Sequence, residues 1–116
     1  MAESIVDTGC RASDCIIFRM RIGHAALNKH LHKIGLAETA QCPHCGEVET
    51  IEHFLLDCDQ YFDERSIMFI SICNIIRYPP ILTQKLLLGG EDFSIERNRK
   101  IICAVAIYIR NTRRFH

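Results

Sequence analysis

The sequence predicts a mainly α fold, a small helical domain with one embedded cysteine- and histidine-bearing loop. Two observations predict it. Apolar residues recur at three-, four- and seven-residue intervals between glycine and proline breaks. A stretch spaced C-x2-C-x7-H-x4-C, formed by Cys42, Cys45, His53 and Cys58, separates the first helical segments from the rest. With 116 residues the chain can bury one core and not two, so residues 1–116 are read as a single domain. Its 48% hydrophobic and 24% charged residues are the balance of a folding domain, not of a disordered tail.

Ser13 is placed to cap a helix from Asp14 to about Ile22, which Gly23 interrupts. A second helix from about Ala25 aligns Leu27, Leu31 and Ile34 on one stripe, and Gly35 ends it where a left-handed residue is wanted. Thr50 is the expected N-cap of a short helix in which Ile51, Phe54, Leu55 and Cys58 share one face. From Asp59 to Arg77 the pattern is helical again, and Ile67 to Ile76 is apolar nearly all round, which predicts the buried central helix. Pro79 and Pro80 stop it. A short helix or strand then closes at Gly89 and Gly90. The last helix starts at Asp92 or Ser94 and runs to about Arg113, apolar along Ile95, Ile102, Val105 and Ile109.

Three thiols and one imidazole at this spacing are the donor set of a closed tetrahedral Zn²⁺ site, predicting one structural ion on Cys42, Cys45, His53 and Cys58. Pro43 restricts the knuckle between the first two ligands, and Gly46 permits its turn. Two competing readings are ordinary buried thiols and a redox dithiol. The second wants a helix starting at the first cysteine, whereas Pro43 and Gly46 give a loop. Four protein ligands leave no open position for metal catalysis, and loss of the ion is expected to melt the module. His44, wedged inside the knuckle, is left to solvent or a partner. Residues five apart on a regular helix point about 140° away from each other, so the helix carrying His53 must end before Cys58. Cys73 and Cys103 lie in apolar stretches and are read as core residues, while Cys10 and Cys15 have no further pair to complete a second site.

Seven cysteines, an odd count with three at ligand spacing, favour a reducing intracellular compartment, cytoplasmic or nuclear, over a disulfide framework. The longest apolar run, Ile101 to Ile109, is about half of what crosses a bilayer, and no membrane partner is expected. Net charge is zero but segregated. Leu36 to Glu64 holds eight acids, Glu49 among them, and no Lys or Arg, while basic residues lie on both sides of it. The acidic face of this module could serve a protein partner.

The stretch "FRMRIGHAALNKHLHKIGLAETAQCPHCGEVETIEHFLLDC", Phe18 to Cys58, resembles the zinc-binding C-terminal region of non-LTR (LINE-type) retrotransposon reverse transcriptase polyproteins, which follows the ribonuclease H domain. The likeness rests on Arg19, Arg21, Gly23, His24, Leu27, Asn28, His30, Leu31 and Gly35, then on the four ligand positions with Glu52 and Leu56. Ile22 stands where that family often has Thr. The resemblance divides the chain into a zinc-binding tail region over 16–65 and a helical extension over 66–116. It implies a noncatalytic accessory that helps hold RNA or DNA, here in a truncated or orphaned copy without the reverse transcriptase and ribonuclease H domains. Retroelement or host proteins are further partners it suggests.

Because the cysteine stretch carries no Lys or Arg, phosphate binding would fall to the flanking helices. The expected contacts to RNA or single-stranded DNA are Arg19, Arg21, His24, Lys29, His30 and Lys33 before it, and Arg99, Arg110, Arg113 and Arg114 after it. The competing expectation is that these basic residues neutralise the acidic module internally.

Overall fold

A computed structural model describes residues 11–115. Five α-helices follow in order: α1 (Arg11–Arg21), α2 (Asn28–Lys33), α3 (Phe62–Ile76), α4 (Gln84–Leu87) and α5 (Ile95–Thr112). The cysteine stretch lies between α2 and α3 and ends in a π-helical turn, His53–Asp57, and a 3-10 turn, Asp59–Tyr61. Among the described residues the β pairing is one antiparallel bridge, Gln41 with Val48. The mainly α class read from periodicity therefore stands.

The centre of the fold differs from the sequence expectation. α5 is the central helix: it packs against α1, α3 and α4 and buries Ile101, Ile102, Ala104, Val105, Ala106, Tyr108 and Ile109. Small Ala104 and Ala106 let neighbours approach α5 on more than one side. α3, expected to be buried all round, buries only Met68, Ile72 and Ile76 and leaves Ile67 and Ile70 exposed. An apolar circumference shows that a helix can be buried; which helix is enclosed depends on where the chain returns.

Helix ends follow local chemistry with a few corrections. Ser94 caps α5, its hydroxyl accepting from the Arg97 N–H at 3.2 Å, and Thr83 does the same for α4 through Leu86 at 3.1 Å. Ser13 is not a cap: it lies inside α1 and is buried. α2 is shorter than expected, starting at Asn28, and its stripe is only partly used, since Leu27 is buried but Ile34 is exposed. Cys73 and Cys103 sit half-buried at the edge of the core instead of within it. Cys15 is exposed, and Cys10 lies outside the described residues. No described helix is long and apolar enough to cross a membrane.

Candidate metal centre and its surroundings

The knuckle is a tight hairpin. Cys42 N–H donates to the Glu47 carbonyl, Gly46 N–H to the Cys42 carbonyl at 3.1 Å, and Glu49 N–H to the Ala40 carbonyl at 2.8 Å. Gly46 takes φ +78°, a left-handed conformation that a Cβ would strain. Downstream, the Thr50 hydroxyl accepts from the His53 N–H at 2.9 Å, as its N-cap assignment requires. The helical segment then widens: Cys58 N–H donates to the His53 carbonyl at 2.9 Å, an i to i+5 bond, and Cys58 itself is extended. That extra residue in the turn brings Cys58 back over His53. The helix does end before Cys58, and the π turn is the device that does it.

The Cys42, Cys45 and Cys58 sulfurs and one His53 nitrogen all lie within 4.8 Å of one another. Cys42 Sγ and Cys58 Sγ are 3.8 Å apart, the edge of a tetrahedron with metal–sulfur bonds of about 2.3 Å. Cys45 Sγ is 3.1 Å from His53 Nε2, somewhat closer than the edge of about 3.5 Å that a bound ion would set. Cys42, His53 and Cys58 are buried and Cys45 faces solvent. Burial pushes the Cys58 thiol up to about 12, partly offset by the Gln60 backbone hydrogen bond and reinforced by neighbouring Cys42 and Cys45. A divalent cation supplies the charge that would turn such a thiol into a thiolate ligand. The cluster can therefore hold one metal ion. His44 stands outside it, edge-on to Tyr61 at 5.7 Å.

Three contacts around the cluster were not read from the sequence. Glu47 Oε2 lies 3.9 Å from His53 Nδ1, on the ring side away from the sulfurs, a through-space approach longer than a hydrogen bond. Arg65 donates from Nε to the Leu55 carbonyl at 3.0 Å and from Nη2 to the Cys58 carbonyl at 2.8 Å, satisfying the end of the π turn. Tyr108 of α5 donates to the Phe54 carbonyl, tying the same turn to the central helix.

Beside the cluster lies a buried polar node. Glu49 was counted with the acidic surface, yet it is 0% exposed. Its Oε1 accepts from the Asn28 backbone N–H at 2.7 Å and thereby caps α2, whose N-cap residue Leu27 has no side-chain acceptor. Arg114 grips the same carboxylate with two bonds, 2.9 and 2.6 Å, and reaches Asn28 Oδ1 at 3.4 Å. This corrects the expectation for Arg114, whose charge is answered internally. The Glu49 hydrogen bond is also the main reason its pKa is raised above the ordinary guanidinium value.

The other basic positions separate. His24, Lys29, His30 and Lys33 line one groove of about 690 Å³ floored by Ala25, Leu27 and Ile51. The rings of His24 and His30 stack, with centroids 5.1 Å apart and planes at 12°. Arg21 lines an adjoining recess with Lys85, and Gln84 belongs to both. Arg19, Arg99, Arg110 and Arg113 are not among the groove walls. Arg19, Arg110 and Arg113 are exposed, while Arg99 is half-buried and engaged within the protein.

Two curated relatives are similar to this chain. One is a "Retrovirus-related Pol polyprotein from type-1 retrotransposable element R1 4" of Nasonia vitripennis, 33% identical over 72 residues, covering 62% of this chain. The other, the corresponding polyprotein of element R1 2 from the same organism, is 44% identical over 54 residues, covering 44% of this chain. These matches support a retrotransposon-related origin. They span only 18% and 13% of the two polyproteins. No family model and no solved structure matches the chain.

Proposed function

We propose that this chain is the structural zinc-binding module of a retroelement polyprotein, an accessory without catalysis that holds RNA or single-stranded DNA. The observation that carries the reading is the gathering of three sulfurs and one imidazole nitrogen within 4.8 Å, next to a groove whose lining includes two histidines and two lysines, with Glu52 as its exposed acid. Zn²⁺ is the ion such a donor set favours, and four protein ligands fill its tetrahedron, leaving no position for a substrate. The ion's role is architectural. It pins the knuckle to the π turn, and the knuckle in turn presents Glu49 to cap α2, the helix that carries Lys29, His30 and Lys33.

The groove suits a single strand: imidazole faces offer stacking to a base, and Lys29 and Lys33 offer charge to the backbone. Two measurements test this. Native mass spectrometry of the purified chain is expected to show one zinc per chain, lost in chelator. Fluorescence anisotropy with a labelled single-stranded RNA is expected to show binding that weakens with salt, and Lys29→Glu combined with Lys33→Glu is expected to abolish it while zinc is retained. Absence of salt-dependent binding at low ionic strength would refute the nucleic-acid role.

A further inference from the structure

We infer, given that the groove binds a single strand, that the strand continues over Gln84 into the recess of Arg21 and Lys85, which grips the next stretch of its phosphate backbone. Charge is the first reason to look beyond the groove. Its Lys29 and Lys33 are opposed by exposed Glu52, while buried Glu49 is already answered by Arg114. Two lysines less one glutamate leave a single net positive charge, a weak hold on a polyanion. The recess, about 320 Å³, supplies two more cations and no acid, so the joined path sets four cations against one exposed acid.

The two depressions meet at two places in the chain. Ile22 lines the groove and Arg21, the last residue of α1, lines the recess; Gln84 lines both, and Lys85, next along α4, lines the recess. A strand leaving the groove this way passes Gln84, whose amide offers both donors and an acceptor. Arg21 and Lys85 are exposed and form no ion pair among the described residues, so their charge is available to phosphate oxygens. Lys85 is also backed by the chain. Gly90 N–H donates to the Lys85 carbonyl at 2.8 Å, and a Cβ at Gly90 would come 2.8 Å from Lys85 Cγ, so the lysine stem lies against the bare glycine and its charged head is left to solvent.

Fluorescence anisotropy of the full zinc-loaded chain with a labelled single-stranded RNA of about ten nucleotides tests this, read as the slope of log affinity against log salt. In single strands each phosphate contact contributes about 0.7 to that slope. Arg21→Gln with Lys85→Gln should therefore lower it by about 1.4 and weaken binding at low salt by at least about tenfold, with zinc content and far-UV spectrum unchanged. Arg97→Gln with Lys100→Gln, which removes the same charge from two exposed residues of a separate recess, should leave the slope as it was. If Lys29→Glu with Lys33→Glu abolishes binding but the Arg21 and Lys85 variant keeps the wild-type slope, or loses no more of it than the Arg97 and Lys100 control, the extension alone is overturned. No salt-dependent binding at all would overturn the groove and its extension together.

Discussion

The cysteine stretch and the helical half are held together by different means. Between Ala40 and Cys58 the chain has a single β bridge and few buried apolar side chains, chiefly Phe54 and Leu55; its order comes from hydrogen bonds and from donors converging on one point. The helical half instead closes over α5, with Met68, Ile72, Leu87, Ile101, Ile102 and Val105 forming a continuous core. The lesson is that two short regions of one chain can answer to different perturbations, and that their junction joins an apolar contact, Phe54 against the Tyr108 and Phe115 rings in the shared core, to a handful of polar ones: Glu49 with Arg114, Arg65 with the π turn, Tyr108 with Phe54.

The largest expected effect separates the regions outright. Structural zinc contributes on the order of 10 kcal/mol in small modules, so chelation should unfold the stretch from residue 40 to 61. Amide exchange there should accelerate by at least about a hundredfold while the centre of α5 keeps its protection. Equal loss in both regions would show that the helical core has no stability of its own. Next comes the junction. Glu49→Ala leaves Arg114 and the Asn28 N–H without their acceptor in a buried setting and should cost about 3–5 kcal/mol, read as a lower midpoint in urea. Arg65→Ala exposes no charge but removes a donor from the Leu55 carbonyl of the π turn and one of two donors from the Cys58 carbonyl, which keeps the Tyr61 N–H, and should cost about 1–3 kcal/mol and weaken zinc binding, measured by competition with a chromophoric chelator.

A pH effect probes the core side of the same junction. Burial, as the leading cause, raises Tyr61 to about 12 and moves Tyr108 further in the same direction. Their neutral forms are favoured when folded, so this stability is intact below the unfolded tyrosine pKa of about 10 and is lost as pH rises through the folded values. Phenolate absorbance from both residues should therefore appear together with alkaline unfolding above about pH 10 and not before it. The smallest effect lies farthest from the cysteine stretch: Ser94→Ala removes one cap from α5 and should cost about 1 kcal/mol with zinc affinity unchanged.

What could be read in advance follows from how local each cause is. The four donors, the Thr50 and Ser94 caps and the break before Cys58 are set by residues a few positions apart, and spacing shows them. Glu49 shows the opposite case. In sequence it is one acid in an acidic run, and only its partner Arg114, 65 positions away, makes it a buried anchor. The exchange of roles between α3 and α5 has the same origin, since apolar content is visible in the sequence and enclosure is not. The π turn carries no residue signature; the geometric conflict between His53 and Cys58 pointed to the break but not to its form. The division of the basic residues between groove, ion pair and open surface likewise depends on how α2 and the end of α5 meet the knuckle.

The central claim is that one ion, bound by three sulfurs and one nitrogen, organises this chain. X-ray absorption at the zinc edge of the purified protein measures that shell directly. The expected result is three sulfurs at about 2.3 Å and one nitrogen at about 2.0 Å, falling to two sulfurs in Cys58→Ser. A shell dominated by oxygen, or a sulfur count indifferent to that substitution, would contradict the account.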